Sequence, residues 1–172
     1  MDISQNFDAI PPIAKEIRLC LEAGAITAAV TMCFILIDSL AHYSRPHENR
    51  STRKDFKYWI DKYLKSQPAP QYQYNSDDIY AARCALLHSF SSETDAHNSN
   101  KDLVRFIYGN GGPHIFQPET NKTLAAISVP LFFSDLIDAT DRFMQECEEN
   151  PELLKKVGSR LEGMLKPNKL SP

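Results

Sequence analysis

Apolar residues recur at helical spacing along most of the chain, and the interruptions divide it into discrete elements. Ile13, Ala14, Ile17, Leu19 and Leu21 follow Pro11-Pro12 and predict an amphipathic helix to about Ala23. Gly24 supplies its stop. A second helix is expected from about Ala25 to Tyr43. It is apolar almost all round, as a central helix of a packed bundle is, and Ser44-Arg45-Pro46-His47 breaks it. Ser51 or Thr52 then caps a third helix with Phe56, Trp59, Ile60, Tyr63 and Leu64 as its buried stripe; it ends before Pro68-Ala69-Pro70. Residues 71–74 read as an extended linker.

Ser76-Asp77-Asp78 marks a fourth helix, with a capping hydroxyl followed by two acids at the positive end of the helix dipole. Residues 91–102 are rich in Ser, Asn and Asp and read as a surface loop. Leu103–Tyr108 and His114-Ile115-Phe116 flank Gly109-Asn110-Gly111-Gly112-Pro113, the pattern of a small β-hairpin. A fifth helix is expected from Leu124 to about Cys147, presenting Leu131, Phe132, Leu136, Ile137, Phe143 and Met144, with Pro130 as a kink or as its true start. Pro151 opens a last helix to about Leu165. An irregular arm precedes Pro11, and a loose tail covers residues 166–172. The expected fold is all-α: an up-and-down four-helix bundle core with an extra C-terminal helix and a small β-hairpin insertion. One domain spans residues 1–172, its core at about 9–147 and its last helix at 151–165.

The fourth helix carries a conflict. At about 100° per residue, Ile79, Ala82, Leu86, Leu87 and Phe90 share one face, and Arg83 projects within it. A guanidinium stays charged and is rarely buried without a partner. Either Arg83 is paired inside a core, or this face is partly a site. His88 follows five residues later, roughly 140° around a straight helix, so the long arginine or a loosened last turn must bring the two heads together.

Arg83, four residues, then His88, preceded by Tyr80 on a late helix, resembles the R-x4–6-H signature of the HEPN superfamily, whose members are all-α and include many metal-independent ribonucleases. Phe34-Ile35-Leu36-Ile37-Asp38-Ser39-Leu40-Ala41 is similar to the earlier apolar helix of that family, which often carries an acid near its end. The resemblance spans roughly Ala9 to Cys147. Two positions depart from it. Cys84 stands where many active members have a polar residue after the arginine, and Phe90 where toxin-type members often have a tyrosine. The resemblance implies a homodimer that cleaves RNA at an Arg83/His88 site on the two-fold axis. It also implies a toxin or phage-defence setting, with a neutralising protein as a further partner.

Composition narrows the chemistry. Hydrophobic content of 42% and charged content of 24% fit a globular domain able to bury a core. A net charge of −3 excludes a polycation, so RNA must meet a local patch. Arg50, Arg53, Lys54, Lys57, Lys62 and Lys65 form the one locally basic element; either Arg50, Lys54 and Lys57 or Arg53 and Lys57 suit a phosphate-tracking face, while Asp55 and Asp61 favour the plain solvated side of an amphipathic helix. Cys20, Cys33, Cys84 and Cys147 are widely separated, without ligand spacing to histidine, and read as reduced thiols. His42 and His47 are too weak a pair to hold a metal, and His97 and His114 lie in expected loops without partner spacing. Neither a metal nor a cofactor is expected. Residues 24–40 are interrupted by Thr27, Thr31, Asp38 and Ser39 and read as a buried helix, not a membrane span, and nothing suggests secretion. A cytoplasmic protein is the expectation.

Cutting RNA without a metal needs a base for the 2′-hydroxyl, an acid for the leaving 5′-oxygen and a cation for the phosphorane. Histidine suits the first two and arginine the third. A dimer supplies the second histidine. Asp38 either orients Arg83 or His88 or forms the polar edge of its helix; Tyr80 either meets the phosphate or packs. Two other readings remain: a non-catalytic HEPN-like module that binds nucleotides or dimerises, and a plain helical adaptor.

Overall fold

The computed structural model describes residues 10–45, 53–65, 74–116 and 123–161. In chain order it contains α1 (Ile10–Glu22), α2 (Ile26–Ser44), α3 (Arg53–Trp59) running into a π-helical turn (Ile60–Leu64), α4 (Ser76–Ser89), a short α5 (Asp95–Ser99), β1 (Arg105–Gly109), β2 (Ile115–Phe116), β3 (Leu124–Ser128), α6 (Val129–Glu149) and α7 (Pro151–Leu161). The chain is mainly α-helical. The expected arm, the Ser51/Thr52 cap, Pro68-Ala69-Pro70, most of the 71–74 linker and the tail lie outside the described residues.

α2 is the axis of the fold and packs against α1, α3, α4, α6 and α7. Val30, Cys33, Phe34, Leu36, Ile37 and Leu40 are buried, and the Phe34 and Phe132 rings meet at 5.7 Å. By length and composition α2 could cross a membrane; in this fold eight of its 19 residues are buried in the core. Two of its hydroxyls are satisfied within the helix: Thr31 donates to the Thr27 carbonyl (2.7 Å) and Ser39 to that of Ile35 (2.9 Å). Pro11 and Pro12 sit inside the first turn of α1, where their missing N–H groups cost nothing. Gly24 (φ +72°) ends that helix, its N–H donating to the Leu21 carbonyl while Ala25 N–H reaches Cys20.

The third helix changes pitch where it meets α6. Lys65 N–H reaches back five residues to the Ile60 carbonyl (2.9 Å), and the wider turn buries Ile60, Tyr63 and Leu64 behind Trp59. The Tyr63 carbonyl accepts from Arg142 Nε (3.0 Å) and Nη2 (2.8 Å), while Glu146 takes Lys62 (2.5 Å) and the Tyr63 hydroxyl (3.1 Å).

Two elements differ from their expected form. Residues 124–128 are a strand, not the first turn of the fifth helix, and Pro130 lies in the opening turn of α6. The expected hairpin is absent: β1 and β2 do not pair with each other but flank β3, parallel on the β1 side and antiparallel on the β2 side. Leu-Ala-Ala-Ile-Ser suits a helix by propensity, so pairing with β1 decided its form. The expected loop 91–102 also contains α5, whose Thr94 side chain accepts from Ala96 N–H.

α4 is held by the residue before the expected cap. Asn75, not Ser76, is the N-cap: its side chain accepts from Asp77 N–H (2.8 Å) and Asp78 N–H (3.1 Å), and Asp78 Oδ2 accepts from Asn75 N–H (2.8 Å). Ser76 instead donates to Asp61 (2.9 Å). The buried Asp78 carboxylate also takes the Val104 N–H (2.9 Å), which fixes α4 against the start of β1. Ile79, Ala82 and Leu86 are buried and Leu87 partly so. Phe90 leaves the expected stripe. It is the left-handed C-cap (φ 48°), its N–H donating to the Leu86 carbonyl, and the residue is 77% exposed.

Candidate functional site: the Arg83–Asp38 cleft

Arg83 and Asp38 face each other across the α2–α4 contact. Asp38 Oδ2 accepts from Arg83 Nε (2.8 Å) and from Nη2 (2.6 Å), and Nη1 lies 3.0 Å from His88 Nε2. The second contact of Nη1, to Cys84 Sγ, is long at 3.9 Å. The guanidinium is therefore held on one edge by a charge-assisted pair and turned on the other toward the imidazole. The long arginine side chain closes the angular gap, because α4 stays helical through Ser89.

The pair is neither an interior salt bridge nor a free surface cation: the Arg83 side chain is 20% exposed and that of Asp38 30%. Burial alone would favour loss of the arginine's proton; the hydrogen bond and charge of Asp38 outweigh it and hold Arg83 above its ordinary pKa. A guanidinium only donates, so His88 Nε2 is the acceptor and presents a lone pair, with the ring proton on Nδ1. His88 is exposed. The Asp38 hydrogen bonds go to Arg83, and none goes to His88 among the described residues.

A cleft of about 350 Å³ adjoins this pair, lined by Asp38, Ser39, His42, Tyr43, Arg53, Phe56, Tyr80 and Arg83. Tyr80 packs edge-on to Phe56 (5.4 Å between ring centroids), and the Arg53 guanidinium lies 5.2 Å from the Tyr80 ring centroid. Burial raises the Tyr80 hydroxyl above its usual pKa, so it stays a proton donor.

Of the expected basic stripe, two members are ion-paired in the structure. Arg53 and Lys57 (2.5 Å) both pair with Asp77 of α4, which draws the Asp77 carboxyl below its ordinary range, the Lys57 hydrogen bond contributing most. Lys54 is exposed without an ion pair among the described residues, and Arg50 lies outside them.

His42 is the cleft residue that sequence spacing to His47 obscured. The relevant signal is its i, i+4 offset from Asp38, which puts both on the open strip of α2. Its Nδ1 accepts from Arg45 Nη1 (2.8 Å), which leaves the ring proton on Nε2. Burial first, then the Arg45 and Arg160 charges, hold its pKa below the ordinary imidazole value, with Asp55 opposing. No group of three or more His, Cys, Asp and Glu side chains suited to a metal occurs among the described residues. No family model, curated protein or solved structure matches the chain, so the likeness to HEPN domains rests on the Arg83/His88 motif and its setting.

Proposed function

We propose that this protein is a HEPN-type, metal-independent endoribonuclease, acting as a homodimer with its two Arg83/His88 pairs across one groove, in an up-and-down four-helix arrangement. The observation that carries the reading is Nη1 of Arg83 lying 3.0 Å from a histidine nitrogen that presents its lone pair. In the free protein the arginine caps that lone pair. An RNA phosphate draws the guanidinium to itself and frees His88 Nε2 to accept the 2′-hydroxyl proton. The O2′–P bond forms and the P–O5′ bond breaks, leaving a 2′,3′-cyclic phosphate. The protonated His88 of the second copy gives its proton to the 5′-oxygen. Arg83 offsets the charge on the phosphorane, with Asp38 fixing its plane. Tyr80 and Arg53 line the approach, while Lys54 and Lys57 lie on α3 as outer phosphate contacts.

Two features support a second copy at this face. Ile35 on the open strip of α2 is 47% exposed, and Phe90 projects beyond the end of α4 two residues after His88. A cytoplasmic toxin or phage-defence effector, restrained by a neutralising protein, fits such an activity.

One observation favours a second reading, a non-catalytic nucleotide-binding or dimerisation module: Asp38 takes two of the guanidinium's bonds, which lowers the charge left for a phosphate. The test compares wild type with Arg83→Ala and His88→Ala on mixed-sequence RNA, with EDTA throughout. The nuclease reading expects cleavage that survives EDTA and falls by at least about 10²-fold in each variant. A wild type that dimerises but does not cleave supports the module.

A further inference from the structure

A separate cleft of about 230 Å³ lies where α5 meets the start of β1, lined by Glu93, His97, Asn98, Lys101, Leu103, Arg105 and Thr123. Its wall holds an unusual group. His97 is only 5% exposed, and its Nδ1 accepts from Thr94 N–H (3.1 Å), closing the cap of α5. A backbone N–H only donates, so the ring proton must be on Nε2. That Nε2–H is buried without an acceptor among the described residues. Leaving a buried donor unpaired is unfavourable, and an arriving acceptor relieves that penalty.

The same wall carries two cations. Lys101 makes no ion pair among the described residues, and Arg105 is bound through Nη1 to Glu93. Arg105 holds the exposed Glu93 carboxyl below its ordinary range, first through that hydrogen bond and then through its charge. Glu93 is thus the carboxylate an incoming anion must displace from Arg105.

We propose that this cleft binds a phosphate group, with His97 Nε2–H, the Lys101 ammonium and the Arg105 guanidinium as donors. An imidazole, an ammonium and a guanidinium from different positions suit the several oxygens of a tetrahedral oxyanion better than the two coplanar oxygens of a carboxylate. The site is independent of the Arg83 reading and stands whether or not RNA is cut.

The test is titration of the full chain with inorganic phosphate, followed by the imidazole resonances of His97 in an NMR spectrum. Saturable shifts are expected, weakened about tenfold or more in Lys101→Ala and in Arg105→Ala, and strengthened several-fold in Glu93→Gln. His97→Gln risks the α5 cap, so the two cation variants carry the decision. No saturable shift, or shifts unchanged in both cation variants, overturns the proposal. A second arm compares short oligoribonucleotides with and without a 5′-phosphate. Preference for the phosphorylated chain that Lys101→Ala abolishes identifies a chain-end phosphate, whereas binding of inorganic phosphate without that preference identifies the free ion.

Discussion

Asp38 binds Arg83 through a single carboxylate oxygen, Oδ2, at 2.8 Å from Nε and 2.6 Å from Nη2. The pair joins the central helix to the helix that carries the candidate chemistry, and it sets which guanidinium nitrogen faces His88.

Removing that carboxylate separates a positioning role from a merely structural one. Asp38→Ala leaves a partly buried cation with fewer partners and is expected to cost about 1–2 kcal/mol, between the values for exposed and buried pairs. Urea unfolding measures this. If Asp38 orients Arg83, Asp38→Glu recovers RNA cleavage only in part, because the longer acid shifts the guanidinium, even where it recovers stability. Full cleavage by Asp38→Ala would falsify the positioning role.

His42 makes the fold sensitive to mild acid. Its folded pKa is depressed below the ordinary 6.5, so the unfolded chain binds the proton more readily. The stability this contributes is complete above about pH 6.5 and is lost as pH falls toward the folded value. His42→Asn is expected to flatten that part of a stability–pH curve. Asp77, depressed from 3.8, acts in the same direction in a lower window, below about pH 4, and should be unaffected by the substitution. An unchanged slope between pH 6.5 and 5 in His42→Asn would count against this account.

Asn75 and Asp78 differ in what they hold. Asn75→Ala removes one side of a capping box and should cost about 1 kcal/mol. Asp78→Ala strips acceptors from the N–H groups of both Asn75 and Val104 in a buried setting, for about 2–4 kcal/mol. Thermal or urea unfolding gives the order; a smaller loss for Asp78→Ala would contradict the tie between α4 and β1.

Phe90 is a large residue in a left-handed conformation with its ring in solvent. Phe90→Gly removes about 1 kcal/mol of backbone strain and should stabilise a monomer. If Phe90 lies in a two-fold interface, the same change weakens the dimer. Sedimentation at several concentrations, run beside thermal unfolding, reads both effects; stabilisation with unaltered association would remove Phe90 from the interface.

Helices were legible in the sequence wherever a sustained 3.6-residue period met a clear stop, as at Gly24 or before Pro151. The Arg83–Asp38 pairing was legible as one of the open readings, since a guanidinium inside an apolar stripe demands a partner, and Asp38 stood at the matching edge of the neighbouring helix. Short segments were not. Leu124–Ser128 is a strand because β1 and β2 lie on either side of it, and five small or apolar residues carry no period long enough to announce that. Phe90 fits the apolar stripe by spacing, yet the left-handed cap turns it into solvent.

The sites divide in the same way. Local chemistry along the chain determined where the longer helices form, where their acids lie and which charged residue was out of place. Only the tertiary structure brought His42, Arg53 and Tyr80 to one cleft, spent Arg53 and Lys57 on Asp77, and buried His97 beside Lys101 and Arg105. Charge and hydrogen-bond partners are set by distances of a few ångströms between residues far apart in the chain, and sequence spacing carries no record of those distances.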